Sequence, residues 1–273
     1  MVRDFYEDVV SELVHDGILT PEMKVLVVCG DRNDRLVLER CGFRDVMISN
    51  LGVRAAGKDV AAFQWSRQDA ERLTFDDASF EFAIVHSGLH HCYSPHRALL
   101  EMYRVARRGV LLFEPYDNLL TRIGVRLNVG QEYEHASVHC NHAHQGGVGN
   151  TTVPNYVYRF TEQEIVKAIH CYAPYARHEI RFFHRMRIPW TQLRRRRNRT
   201  LYHAVRASRP VLKLIETVLP RQSNNFAALI LKPRLPAELH PWLRQDDDGI
   251  HLNERWIAER YGRAGDAGPV ATT

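Results

Sequence analysis

Cysteine is sparse in this chain and poorly placed for cross-linking. The five residues, Cys29, Cys41, Cys92, Cys140 and Cys171, are odd in number, and no two stand in C-x-x-C spacing. That pattern argues against a disulfide framework or a zinc ribbon and fits a reducing compartment. Long apolar runs are missing as well: no stretch approaches the roughly 20 residues needed to cross a bilayer. The opening MVRDFYEDVV puts acids where a secretory leader would carry its apolar stretch, so a cytoplasmic protein without a membrane span is expected. Lysine is scarce, five among 37 basic residues, a bias read as compositional. There is no internal repeat and no long low-complexity segment.

What remains is ordinary for a folded protein. Of 273 residues, 45% are hydrophobic and 25% charged, which excludes disorder of the whole chain and allows a full core without staples. The length suits one α/β domain with insertions, or two small domains. The net charge of +5 is uneven. Residues 181–221 hold twelve basic residues and one acid, Glu216; removing that +11 from the total leaves −6 for the remainder. The basicity is local, and the overall isoelectric point is no sign of nucleic-acid binding.

Apolar runs alternate with helical patterns. A helix over residues 3–16 precedes the buried-strand run Lys24 to Gly30. Residues 31–41 form a helix stopped by Gly42, and Val46 to Ile48 a second strand. Phe63 to Trp65 is a weak third strand and Phe82 to Val85 a strong fourth. Pro95 to Ala106 is a helix with proline at its start, and Val110 to Phe113 a fifth strand. Strands alternating with helices predict a parallel sheet covered on both faces, with ligands at the carboxyl ends of its strands. Residues 115–158 have no clear period and read as a lid or substrate loop, or else as disordered. Thr161-x-x-Glu164 has the capping-box form of a helix start. Residues 180–188 are a possible strand, 191–219 look helical and basic, and Asn225 to Lys232 is a last strand. The segments are thus an N-terminal helix (1–20), a cofactor-binding half (21–116), a lid (117–160), the rest of the core with a basic helical insertion (161–235), and a partly disordered extension (236–273).

Chemistry concentrates at the strand ends. The turn Val28-Cys29-Gly30-Asp31 allows close backbone approach to a ligand, or is a plain strand-to-helix turn. Asn50, after the second strand, either meets a ribose hydroxyl or caps its loop. Then comes Gln68-Asp69-Ala70-Glu71-x-Leu73-x-Phe75-x-Asp77-x-Ser79-Phe80-Glu81-Phe82. This string resembles the DAExLPFxDxSFD segment of class I S-adenosylmethionine-dependent methyltransferases. The branch is the type 11-like one, whose LHH or LEH motif follows strand four. Here that motif is Ser87-Gly88-Leu89-His90-His91, and HRALLEMYRVARRGVLLFEP matches the family's next helix and fifth strand. The resemblance spans roughly residues 20–116.

It implies an α/β fold: a Rossmann-like, seven-stranded, mostly parallel sheet with helices on both faces and an acceptor-binding insertion after strand five. It further implies S-adenosylmethionine as cofactor. Asp69 would accept from the adenine amino group, and the Ala70 N–H would meet a ring nitrogen. Asn50 and Leu51 would lie at the ribose, Cys29, Gly30 and Asp31 beneath the methionine and ribose, and His86 and Ser87 near the methyl group. The chain departs from the family twice: the glycine loop is reduced to Cys29-Gly30-Asp31, and Asn50 replaces the usual ribose acid.

The sulfonium is already activated, so the enzyme mainly aligns an acceptor and removes its proton. His90, His91 and Glu114 are the candidate catalytic residues; packing beside the cofactor is the alternative for the histidines. His135, His139, His142 and His144, with Glu132, Glu134 and Cys140 nearby, read as a solvated substrate loop over a polar acceptor pocket, with no metal expected, since the glycines and asparagines of HCNHAHQGGVGN disfavour a helix. The run Arg194 to Arg197 reads as a solvated helix face, with an interface to the acidic 246–248 run as one option. The expected activity is methyl transfer to a small polar acceptor, at oxygen, the acceptor being a sugar, a secondary metabolite or an envelope precursor. A small-molecule partner is favoured over nucleic acid, and a homo-oligomer is left open. The alternatives are a non-methylating binding protein of the same fold and a nucleic-acid-directed methyltransferase or binder using the arginine run.

Overall fold

A computed structural model describes residues 4–52, 62–142, 144–195 and 199–262. Its centre is a seven-stranded sheet of β1 (Val25–Val28), β2 (Val46–Asn50), β3 (Gln64–Arg67), β4 (Phe80–His86), β5 (Ala106–Pro115), β6 (Glu179–Arg185) and β7 (Asn225–Leu231). The order is β3-β2-β1-β4-β5-β7-β6. The first five strands run parallel, and β7 lies antiparallel between β5 and β6.

All four residues of β1 are buried, as a strand covered on both faces requires. The side-chain alternation splits them between two cores. Val25 and Val27 pack with Ile48, Phe82 and Ile84 against α1 (Phe5–His15) and α2 (Arg32–Arg40). Leu26 and Val28 pack with Ala83 and Val85 against α3 (Pro95–Val105). Ile165 and Ile169 of α6 (Glu162–Tyr172) complete that second core. Caps fix where helices begin. Asp31 and Asp34 form a capping box on α2, and Thr161 and Glu164 form one on α6.

Helix α3 runs into β5 without a loop, so the strand begins earlier than its apolar run. Gly109 lets β5 lie close to its neighbours: a Cβ there would stand 2.6 Å from the Ile230 carbonyl oxygen and 2.7 Å from the Phe82 ring.

The segment after β5 and the C-terminal extension contain elements that the sequence pattern did not predict. Residues 115–158 are not without structure. They contain α4 (Leu119–Arg126), capped by Asn118, the short α5 (His135–Cys140), and a 3-10 turn at Val148–Asn150. In the C-terminal extension, β8 (Leu243–Asp246) and β9 (Gly249–Leu252) form a hairpin, followed by α10 (Glu254–Tyr261). The acidic run makes the hairpin turn, and Asp246 pairs with Arg244 and His251 of the same hairpin, not with the arginine run, among the described residues. The basic segment folds as α7 (Trp190–Arg195), α8 (Thr200–Ala207) and α9 (Arg209–Val218). Arg196, Arg197 and the stretch 263–273 lie outside the described residues. No described helix is long and apolar enough to cross a membrane.

Candidate active site

The carboxyl ends of β1 to β4 surround a cavity of about 650 Å3, within the roughly 300–1,000 Å3 of small-molecule sites. Of the expected cofactor residues, Cys29, Asp31, Asn50, Leu51, Asp69, Ala70, His86 and Ser87 line it. Gly30 does not. It is buried beneath the wall, where a Cβ would meet Val27 at 2.7 Å and Ile48 at 2.8 Å. Close strand packing therefore explains this glycine. Cys29 and Ser87 both adopt left-handed backbone (φ 55° and 54°), one at each lip of the cavity. Gly88 lets the lips approach, since a Cβ there would lie 2.5 Å from that of Cys29.

Asn50 is engaged with its own loop, donating Nδ2–H to the Gly30 carbonyl at 3.0 Å and accepting from the Gly52 N–H at 3.0 Å. Asp69, which lines the cavity, accepts the Glu71 N–H on one carboxylate oxygen at 3.0 Å. The His86 ring stacks on buried Tyr6 of α1, centroids 4.7 Å apart, and burial lowers its pKa.

The candidate catalytic residues occupy unequal positions. Glu114 is fully buried and lines neither this cavity nor the next. One of its oxygens accepts the N–H groups of Gly88 (2.9 Å) and Leu89 (2.7 Å); the other meets His90 Nδ1 at 2.6 Å. It holds the motif turn in place and cannot reach a substrate. His90 Nε2 lies 3.2 Å from Glu134, and His91 Nε2 lies 3.4 Å from the same oxygen. Burial opposes charge on His90, but the flanking Glu114 and Glu134 carboxylates overcome it and push its pKa up to about 10. His90 is thus an imidazolium at neutral pH. Burial and the charge of His90 lower the pKa of His91, whose ring is neutral and able to accept a proton.

Glu134 was expected beside the histidines of the 135–144 loop; the fold brings it instead to His90, 44 positions away, a pairing that no local pattern marks. His90, His91 and Glu134 offer atoms within 4.8 Å of one another, a set that could hold a divalent cation. The expected histidine loop behaves differently. His135 and His139 do share the short α5, because the helix ends before the asparagine and glycines, but no such cluster includes them among the described residues.

A second cavity, of about 400 Å3, adjoins the first and shares Ser87, Glu134 and Arg187 with it. His90 also faces it. The rest is largely apolar: Leu120, Ile123 and Leu127 at α4, Val129, Val157, Met186, Ile188, and Val205 and Leu212 of α8 and α9. Residues 133–158 reach both cavities: Ser137, Asn141, Gln145 and Asn150 line the polar one, and Val157 lines this apolar one, whose polar end is Glu134. A larger cavity, about 1110 Å3, lies among Phe82, Arg107, Arg108 and Lys232, at the amino ends of β4 and β5, away from these groups.

Residues 41–113 match the family model of a methyltransferase domain. That match falls on β2 to β5, the strands that carry Asp69, Ser87 and the histidine pair. The fold is that of a class I S-adenosylmethionine-dependent methyltransferase. A curated relative is the ubiquinone/menaquinone biosynthesis C-methyltransferase UbiE of Xanthomonas campestris. It is 34% identical over 101 residues, which cover 33% of this chain and 40% of that protein. This chain therefore spans well under half the length of that relative. Magnesium protoporphyrin IX methyltransferase from Synechocystis PCC 6803, solved with bound SAH, superposes with a TM-score of 0.51 at 14% identity, over 83% of this chain and 81% of that one. The YcgJ protein of Bacillus subtilis superposes with a TM-score of 0.52 at 13% identity, over 85% and 100%. At these identities the two structures establish the shared architecture.

Proposed function

We propose that this protein methylates an amphipathic small molecule, with S-adenosylmethionine in the polar cavity and the acceptor's apolar body in the adjoining one. The observation that carries this reading is the meeting of the two cavities at Ser87 and Glu134, beside the histidine pair. The residues present suit the cofactor. Asp69 keeps one carboxylate oxygen for the adenine amino group, and Ala70 lies at the same wall. Asn50 retains one donor and one acceptor position for ribose after capping its loop. The bound cofactor would supply an electrophilic methyl group.

The chain's own residues then bind and deprotonate the acceptor. The apolar wall of α4, α8 and α9 holds its body, and the polar end receives its hydroxyl. His91, the neutral ring, accepts the hydroxyl proton and shares it with Glu134. His90 supplies fixed positive charge to the oxyanion that forms, and Glu114 keeps His90 oriented. A phenol or enol meets these demands, with methylation at oxygen. Methylation at an adjacent ring carbon is the second reading, favoured by the similarity to a protein named as a C-methyltransferase. An apolar second cavity supports a small molecule over a nucleic acid.

Calorimetry with S-adenosylmethionine on the wild type and on Asp69→Ala tests the cofactor site. Loss of one charged hydrogen bond is expected to weaken binding roughly 10- to 100-fold. Absence of binding by the wild type would refute the reading. Binding without transfer to any chain-bearing phenol would favour a non-methylating protein of the same fold.

A further inference from the structure

Helices α4, α8 and α9 bury no residue among those described, yet they are not polar. On α4, Leu119, Ile123 and Leu127 follow one another at four-residue spacing and are 67%, 40% and 60% exposed. On α9, Val211, Leu214 and Val218 share one helical face and are 59%, 62% and 64% exposed. Apolar stripes turned to solvent on neighbouring elements mark an interaction surface.

The exposed charged residues of these helices are all basic. Arg199, Arg206, Arg209 and Lys213 are exposed along α8 and α9, in the 181–221 segment that holds twelve basic residues and one acid. That acid, Glu216, is turned inward, accepting the Met186 N–H at 2.8 Å. Basic side chains bordering leucine and valine stripes are the composition of helices that lie in a membrane interface, and cytoplasmic leaflets carry the complementary negative charge. The same helices form the wall of the apolar cavity, through Ile123 of α4, Val205 of α8 and Leu212 of α9. The surface therefore surrounds the cavity that takes the acceptor's apolar body.

We infer that α4, α8 and α9 dock this protein on an anionic lipid bilayer and that the acceptor is a lipid-soluble molecule entering the apolar cavity from it. The entry route rests on the reading of that cavity as the acceptor site; the docking surface does not. Lipid contact also accounts for helices that bury nothing within the chain, because the bilayer supplies their missing apolar partner.

Vesicle co-sedimentation of the full chain tests this, with phosphatidylglycerol–phosphatidylcholine vesicles against phosphatidylcholine alone. The expected result is binding to the anionic vesicles, weakened by salt and several-fold lower on the neutral ones. Leu214→Glu/Val218→Glu lies outside the cavity lining and is expected to reduce partitioning about tenfold while leaving S-adenosylmethionine calorimetry unchanged, which also shows that the variant folds. Equal binding to both vesicle types, no binding to either, or a variant that partitions like the wild type would overturn the inference. So would a dimer in sedimentation analysis that the double substitution dissociates, since the face would then be an interface between two copies. Partitioning without any cofactor binding would refute the methyltransfer reading and leave the docking surface standing.

Discussion

Glu114→Gln removes one charge from the interior and reads out the state of His90. The two side chains are 0% and 6% exposed and 2.6 Å apart. Removing one partner of a buried ion pair typically costs about 3–5 kcal/mol. For a chain of this size, each kcal/mol is worth roughly 2–4 °C in Tm, so a fall on the order of 10 °C at neutral pH is expected. The loss should also depend on pH. The pKa of His90 is raised from 6.5 to about 10 on folding. Its contribution is therefore fully present below pH ~6.5 and disappears as the pH rises through ~10. The interval sets a ceiling of about 5 kcal/mol, at ~1.4 kcal/mol per unit. Denaturant unfolding of the wild type and of Glu114→Gln from pH 6 to 10 measures it. The two stability curves should converge as the pH rises. Parallel curves, or a cost below about 1 kcal/mol at pH 7, would show that His90 is uncharged and that His91 is not the distinctive base.

Other substitutions probe separate parts of the argument. Gly30→Ala should destabilise by about 1–3 kcal/mol in denaturant unfolding, because its Cβ would overlap Val27 and Ile48. Burial, helped by nearby Asp31, raises the Asp34 carboxyl pKa from 3.8 to about 8, so its cost to the fold grows as the pH rises between these values. Asp34→Asn should then stabilise by about 1–3 kcal/mol at pH 8 and by little at pH 4, while still accepting the Asp31 N–H; equal effects at both pH values would refute this. Dialysis against a chelator should leave methyl transfer unchanged. A loss restored by a divalent cation would show that His90, His91 and Glu134 act as ligands.

The cofactor half was legible because its signals are local. β1, β4 and β5 are short apolar runs, and α6 opens with both halves of a capping box. The lid was legible only in part. Its helix α4 carries two marks that local reading could have used: the Asn118 cap and the Leu119–Ile123–Leu127 spacing. They were obscured because that stripe faces solvent and the cavity rather than the core. The histidine pair was legible as a proton-transfer candidate, but the difference between its two members was not. Two adjacent residues of one type differ in charge because one lies between carboxylates contributed from positions 114 and 134. That difference comes from tertiary placement, as does the role of Glu114, whose register in β5 turns it inward beneath the motif turn.

The placement of the apolar cavity along the chain has a consequence for how such a protein can change. Apart from Ser87 and His90, every residue that lines it follows position 114, while the wall of the polar cavity at β1 to β3 comes from residues before position 72. On the proposed assignment of the two cavities, a new acceptor preference can be acquired by exchanging one continuous stretch, from the end of β5 to the start of β7, without rewriting the donor half. The return strand β7, wedged antiparallel beside β5, fixes where any replacement must rejoin the sheet.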